Sequence, residues 1–360
     1  MYNFKNFFLN KRVLITGHTG FKGSWLSLWL YLLGAKVIGV SISSPTNPSH
    51  FDKLKLKNKI TDIRLDIKNF KKINSVFKKY KPDIFFHLAA QSLVKKSYKE
   101  PVLTFSTNTI GTLNVLESLK KMNKKCNAVI ITSDKSYKNL EIKRGYREDD
   151  LLGGKDPYSA SKASAELIIQ SYVDSYFKKN SKNNIAVARA GNVVGGGDWS
   201  EDRLIPDCIK AWTKNKKVLI RNPNSTRPWQ HVLEALRGYL ILAIGLSKNK
   251  KLSGEPFNFG PKISQDKKVV SFLKEMQKNW KKIKWKMKKD KSIEYESKLL
   301  KLNSAKAKKY INWDPILQFD ETAKMTVSWY KDYYKNPSKA FILSKKQILK
   351  YSKKIEILKK

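Results

Sequence analysis

Arg12-Val13-Leu14-Ile15-Thr16-Gly17-His18-Thr19-Gly20-Phe21-Lys22-Gly23 decides the fold of this chain. The stretch to Thr16 is a short apolar strand. Residues 24–33 form a helix that is apolar on almost every side, and so a buried one. Gly17, Gly20 and Gly23 fill the junction between them. Glycine admits the positive φ of a tight turn. Its missing side chain lets backbone N–H groups approach a pyrophosphate, and the helix N-terminus attracts that anion. Three glycines anywhere would be a weak signal. At the first strand-to-helix turn they predict a dinucleotide site, with Thr19, Phe21 and Lys22 beside them.

Outward from this turn the rhythm continues. Strands are predicted at 36–41, within 58–67, at 83–88, 128–132 and 185–189, and helices at 73–80, 104–122 and 158–178. Strands separated by helices imply a parallel sheet covered on both faces, an α/β doubly wound architecture. After Gly191 glycine, proline, tryptophan and short strands take over. This predicts residues 1–190 as the dinucleotide-binding domain and 191–330 as a smaller α/β substrate lobe. Residues 331–360 read as a lysine-rich, partly ordered helical tail without chemistry of its own.

Tyr158 and Lys162 are four apart and share one helix face. A phenol with an ordinary pKa of about 10 is a poor base unless cations stabilise its anion. Lys162 and an oxidised nicotinamide would do so, letting Tyr158 take a proton from a sugar hydroxyl. Tyr-x-x-x-Lys alone also describes many plain surface helices; its place downstream of the glycine turn gives it meaning. Ser133-Asp134-Lys135 follows the strand at 128–132, at the sheet edge where such folds bind ligands. Ser133 would hydrogen-bond a substrate hydroxyl, and Asp134 with Lys135 would form an acid and base pair. At the end of the second strand neither Asp, Glu nor Arg is present to choose between NAD and NADP. Asp66-Ile67 lies where an adenine edge would be read.

The 360 residues suffice for one large domain or two lobes around a cleft, and 41% hydrophobic content supports a packed core. Cys126 and Cys208 are too few for a disulfide framework and lack metal-site spacing, which predicts a reducing compartment and no metal. The N-terminus lacks a signal-peptide pattern, and the apolar run at 25–33 is too short to span a bilayer, so a soluble cytoplasmic protein is expected. The net charge of +43 would suit nucleic acid, but only nine residues are arginine. Lysine spread along the whole chain reads instead as solvated surface, and no nucleic-acid partner is expected. Such a surface would still speed capture of a diphosphate at low salt.

Taken together, the glycine turn, His87-Leu88-Ala89-Ala90-Gln91, Thr107-Asn108 with Gly111-Thr112, and Tyr158/Lys162 resemble the extended short-chain dehydrogenase/reductase superfamily, a Rossmann-fold group, from about residue 11 to 330. Further stretches resemble its CDP-glucose 4,6-dehydratase branch: Gly17-His18-Thr19-Gly20-Phe21-Lys22-Gly23-Ser24-Trp25-Leu26, Pro45-Thr46-Asn47-Pro48, Thr132-Ser133-Asp134-Lys135, Arg189-Ala190-Gly191-Asn192-Val193-Val194-Gly195-Gly196-Gly197-Asp198-Trp199, Asp202-Arg203-Leu204-Ile205-Pro206-Asp207 and Arg227-Pro228-Trp229-Gln230-His231-Val232. That branch is similar in carrying lysine, here Lys135, where other 4,6-dehydratases have glutamate, and in lacking the acidic residue after the second strand. Ser136 departs from a common cysteine, and Lys68-Asn69 from a usual Arg-Asp pair.

The resemblance implies NAD as a resident cofactor touching Gly17, Thr19, Gly20, Phe21, Lys22, Gly23, Asp66, Ile67, Leu88, Ala89, Ala90, Asn108, Tyr158 and Lys162. It implies a nucleotide sugar held by Gln91, Asn192, Arg203 and Arg227. The reaction implied is internal redox: oxidation at C4, loss of the C5 proton and the C6 hydroxyl, then reduction at C6. Lys135 stands where the family's base acts, or stabilises the enolate, and Asp134 where the acid acts. The product class is a 4-keto-6-deoxy sugar of the kind used for lipopolysaccharide O-antigen. Helices 104–122 and 158–178 imply a homodimer, or a dimer of dimers, through a four-helix bundle. A 4-epimerase, a dehydratase acting on another nucleotide hexose, and a non-catalytic basic protein remain open at this stage.

Overall fold

The computed structural model describes residues 3–142, 144–178, 182–220, 222–262, 266–287 and 300–358. Its centre is a seven-stranded, wholly parallel sheet. In chain order come β1 (Arg12–Thr16), β2 (Lys36–Ser41), β3 (Thr61–Arg64), β4 (Ile84–His87), β5 (Asn127–Ile131) and β6 (Asn184–Ala190). The spatial order is the strand Pro256–Phe259, then β6, β5, β4, β1, β2 and β3. Every residue of β4, β5 and β6 is buried, as continuous apolar runs in a doubly covered sheet require.

Two hydrophobic clusters lie on the two faces. One holds Leu14, Ile73, Phe77, Val115, Leu116 and Ile169. The other holds Trp25, Trp29, Leu236, Leu240, Trp313 and Tyr351. The helix Phe21–Leu32 buries eight residues all round, as its sequence implied. Helix Phe70–Tyr80 is amphipathic and buries Ile73, Val76 and Phe77; Asn69 caps it by accepting from the Lys72 N–H at 3.0 Å. Neither long helix is uniform. Helix Pro101–Phe105 passes through a π turn, Ser106–Ile110, into Gly111–Lys120. Helix Pro157–Tyr172 ends in a second π turn, Val173–Phe177.

The chain beyond Gly191 returns to the first sheet. Helix Val232–Lys248 packs against β5 and β6, and Pro256–Phe259 adds a strand beside β6. The expected tail is ordered structure. Helix Ala340–Ile357 packs on Phe21–Leu32, burying Ile348, Tyr351 and Ile355. The Tyr351 hydroxyl donates to Glu234 at 2.8 Å and accepts from Arg237 at 2.9 Å. The lysines face outward and mask this buried stripe in the sequence. Among the described residues no helix is long and apolar enough to cross a membrane.

Candidate active site

A cleft of about 1820 Å³ runs along the carboxyl edge of the sheet. Its floor begins at the glycine turn. Gly17 has φ +78°, and a Cβ there would fall 2.6 Å from the Ala89 nitrogen. A Cβ on Gly23 would fall 2.0 Å from the Gly17 oxygen. These two glycines are therefore demanded by backbone packing. Gly20 has more room, with its nearest such contact at 3.4 Å, and serves as the helix N-cap without a capping side chain. The first N–H groups of the helix are thus left for an anion. Thr19 donates to the Ser43 carbonyl at 2.7 Å, tying the turn to the loop after β2.

Asp66 and Ile67 line the cleft at its far end. Asp66 accepts from the Lys68 N–H at 2.9 Å, and Asn114 holds the Ile67 carbonyl at 3.0 Å. Leu88, Ala89 and Ala90 form the wall after β4. Asn108 and Gln91 are both engaged within the protein. Asn108 does not line the cleft: its amide accepts from the Gln91 N–H at 2.8 Å and donates to the Gln91 carbonyl at 3.0 Å and Ser161 Oγ at 2.9 Å. Gln91 lines the cleft, but its side chain bonds Leu93 and Thr104. The Asn108 amide ties this wall to the Tyr158 helix, and the Gln91 amide ties it to the helix Pro101–Phe105.

At the centre, Ser133, Lys135, Tyr158 and Lys162 line one region of the cleft. Asp134 lies just behind this lining, buried, accepting from Ser133 Oγ at 2.9 Å. Burial raises the Asp134 carboxyl above the usual carboxylate range, against the opposing pull of Lys135, Ser133 and Lys22. A carboxyl so raised keeps its proton longer and suits an acid. Burial pushes the Tyr158 phenol up to about 12, opposed by its hydrogen bond with Ser133. Burial lowers the Lys162 ammonium to about 8, opposed by Glu166. Lys22 is likewise lowered to about 8 by burial and by Arg203. Asn192, Arg203 and Arg227 also line the cleft.

Sequence reading missed the support beneath this centre. Glu166 continues the Tyr158–Lys162 face by another four residues, a spacing that could have flagged it. It accepts from Thr132 Oγ1 at 2.6 Å, Ser136 Oγ at 2.7 Å and Arg189 Nε at 2.8 Å, all buried. Arg189 also donates to the Tyr137 hydroxyl at 2.7 Å. Asp198, beside Trp199 in the glycine-rich stretch, pairs with Arg203 at 3.0 Å.

A doubly wound sheet, a glycine cradle and a Tyr-Lys helix facing a charged wall define a dinucleotide-dependent enzyme of the epimerase/dehydratase type. The family model described as GDP-mannose 4,6 dehydratase matches residues 14–326. The CDP-glucose 4,6-dehydratase of Salmonella typhimurium is 42% identical over 351 residues, 96% of this chain and 98% of that protein. Among solved structures, the epimerase Mth375 of Methanothermobacter thermautotrophicus shares the fold with a TM-score of 0.78 at 23% identity, covering 93% of this chain and 96% of that one. The dTDP-glucose 4,6-dehydratase of Bacillus anthracis, solved in complex with NAD, gives 0.72 at 23% identity, covering 89% and 97%. The chain belongs to the sugar-nucleotide 4,6-dehydratase family, NAD-dependent hydro-lyases.

Proposed function

We propose that this protein converts CDP-D-glucose to CDP-4-keto-6-deoxy-D-glucose and water. The observation that carries the reading is the meeting of Tyr158, Ser133, Asp134 and Lys135 at the end of β5, with a buried carboxyl raised toward its acid form. An epimerase would have no use for that carboxyl.

The cradle of Gly17, Gly20 and Gly23 fits the diphosphate of NAD, and Asp66, Ile67, Leu88, Ala89 and Ala90 fit its adenosine side. When bound, NAD supplies the hydride acceptor and donor. Tyr158 takes the proton of the C4 hydroxyl as C4 is oxidised. Its raised phenol must be lowered to do this, which is the task of the Lys162 ammonium and of Ser133. The new 4-ketone acidifies C5. Lys135 takes the C5 proton or steadies the enolate, and Asp134 protonates the C6 hydroxyl, which leaves as water. C6 is then reduced and C5 regains a proton.

Arg203 and Arg227 suit the substrate diphosphate, with Asn192 beside them. A homodimer through the helices Pro101–Phe105, Gly111–Lys120 and Pro157–Tyr172 accounts for exposed Val102, Phe105, Ile110 and Leu167. Two buried thiols fit a cytoplasmic setting, and the product fits O-antigen deoxysugar supply.

The test is incubation of the purified protein with NAD and, separately, CDP-glucose, dTDP-glucose, UDP-glucose and GDP-mannose. A 4-keto-6-deoxy product from CDP-glucose, seen by its absorbance in base, is expected. Turnover only of another nucleotide sugar would overturn the substrate, and a C4 epimer without water loss would overturn the reaction.

A further inference from the structure

The loop 195–203 carries the cleft's Arg203, and it is held from behind by the C-terminal third of the chain. Gly196 lies flat on Trp329, so close that a Cβ there would fall 2.0 Å from the indole. The Tyr330 hydroxyl donates to the Asp198 carbonyl at 2.6 Å and accepts from the Asp198 N–H at 3.0 Å. Trp199 Nε1 donates to the Tyr334 hydroxyl at 3.1 Å.

The Asp198 side chain is buried within this anchored loop. One carboxylate oxygen accepts from the Ser200 N–H at 3.0 Å, and the other from Arg203 Nη1 at 3.0 Å. Arg203 is half-buried, lines the cleft, and lies within electrostatic reach of Lys22 and Tyr158. A flexible arginine near the Lys22 ammonium would be driven outward by repulsion. A buried, twice-bonded carboxylate keeps it in place.

We propose that Asp198 is a positioning residue: anchored to the helix Phe319–Lys335, it holds Arg203 in the orientation that grips the substrate diphosphate. The inference rests on the reading of Arg203 as a diphosphate contact. Asp198 is buried and does not line the cleft, so its loss acts on nucleotide-sugar affinity and not on the chemistry.

The experiment compares Asp198→Asn, Arg203→Ala and the double variant, each measured for Kd of CDP-glucose and of CDP, Kd of NAD, kcat and Tm. Asparagine can satisfy the Ser200 N–H or Arg203, but not both with an acceptor. Asp198→Asn is expected to raise both CDP-glucose and CDP Kd about tenfold, with NAD Kd within twofold and kcat within threefold. In the Arg203→Ala background the same substitution is expected to change CDP-glucose Kd less than twofold. Unchanged CDP-glucose affinity in Asp198→Asn, where Arg203→Ala weakens it, would overturn the positioning role alone. Unchanged affinity in Arg203→Ala would overturn the diphosphate contact and the inference with it. Equal losses in NAD and CDP-glucose affinity would mark general damage and also overturn it. Should Asp198→Asn not fold, Asp198→Glu carries the same test with a smaller shift of the same sign.

Discussion

Glu166 and Arg189 form a buried ion pair directly beneath the turn that presents Asp134 and Lys135, with Glu166 also gripping Thr132 and Ser136 on either side of that turn. The pair joins β6, the Tyr158 helix and the end of β5. Its worth is geometric: one carboxylate fixes the spacing between the Tyr158–Lys162 face and the turn it must meet.

Glu166→Gln leaves the Arg189 guanidinium buried without its counter-charge. Breaking one side of such a pair costs about 3–5 kcal/mol. Urea unfolding is expected to show that loss, and kcat to fall with it as the turn loosens. A variant as stable as the parent would show that the pair is dispensable. Ser136→Ala removes a single bond to the same carboxylate and should cost less, about 1.5–3 kcal/mol.

Asp134→Asn separates the two halves of the reaction. Exchange of the C5 proton with solvent deuterium should continue, while water loss slows about 10²–10⁴-fold. Full turnover in this variant would remove Asp134 from the chemistry.

The same substitution has a signature in stability. The folded carboxyl is raised above its unfolded value of about 3.9, so its favourable contribution is complete below that value and is lost as pH rises through the folded one. Asp134→Asn should therefore gain stability relative to the parent at pH 8 and show little difference at pH 4. Equal urea midpoints at both pH values would contradict the raised carboxyl.

Lys162 is held down to about 8 by burial, so its ammonium thins out above that pH. If that charge lowers the Tyr158 phenol, kcat/KM falls on the alkaline side as Lys162 deprotonates. Lys162→Arg keeps a permanent cation. Its alkaline limb is expected to move up by at least about one pH unit, even with a lower maximum. An unmoved limb would assign the titration elsewhere.

Deleting residues 340–360 removes Ile348, Tyr351 and Ile355 from the core and strips Arg237 and Glu234 of the Tyr351 hydroxyl. Each large apolar side chain contributes about 1.5–3 kcal/mol on burial. The truncated chain is expected to be insoluble or to melt far below the parent in a thermal scan. Parent-like melting would make the segment a tail after all.

Much of this molecule is legible in its sequence because the signals are local. The period of burial marks strands and helices within a few residues. Gly17 and Gly23 mark a backbone crossing with no space for a side chain. Tyr158 and Lys162 announce themselves by one helical turn. The boundaries drift by a few residues, as where the helix predicted over 104–122 starts at Pro101 and ends at Lys120, and the π turns Ser106–Ile110 and Val173–Phe177 within the long helices leave no mark in composition. For Asn108 and Gln91 the edge of the sheet is readable, but not the bonds each amide makes within the wall.

By itself, then, the sequence determined the doubly wound sheet, the cradle and the residues gathered at the end of β5, since each follows from backbone rules acting over a few positions. Only the tertiary structure decided that Glu166 meets Arg189, that Asp198 holds Arg203 on a loop pinned by Tyr330, and that a lysine-rich terminus buries Tyr351 against Arg237. A buried polar group must find its partner wherever the packed chain brings one, and for Asp198 and Tyr330 that partner lies 132 residues away.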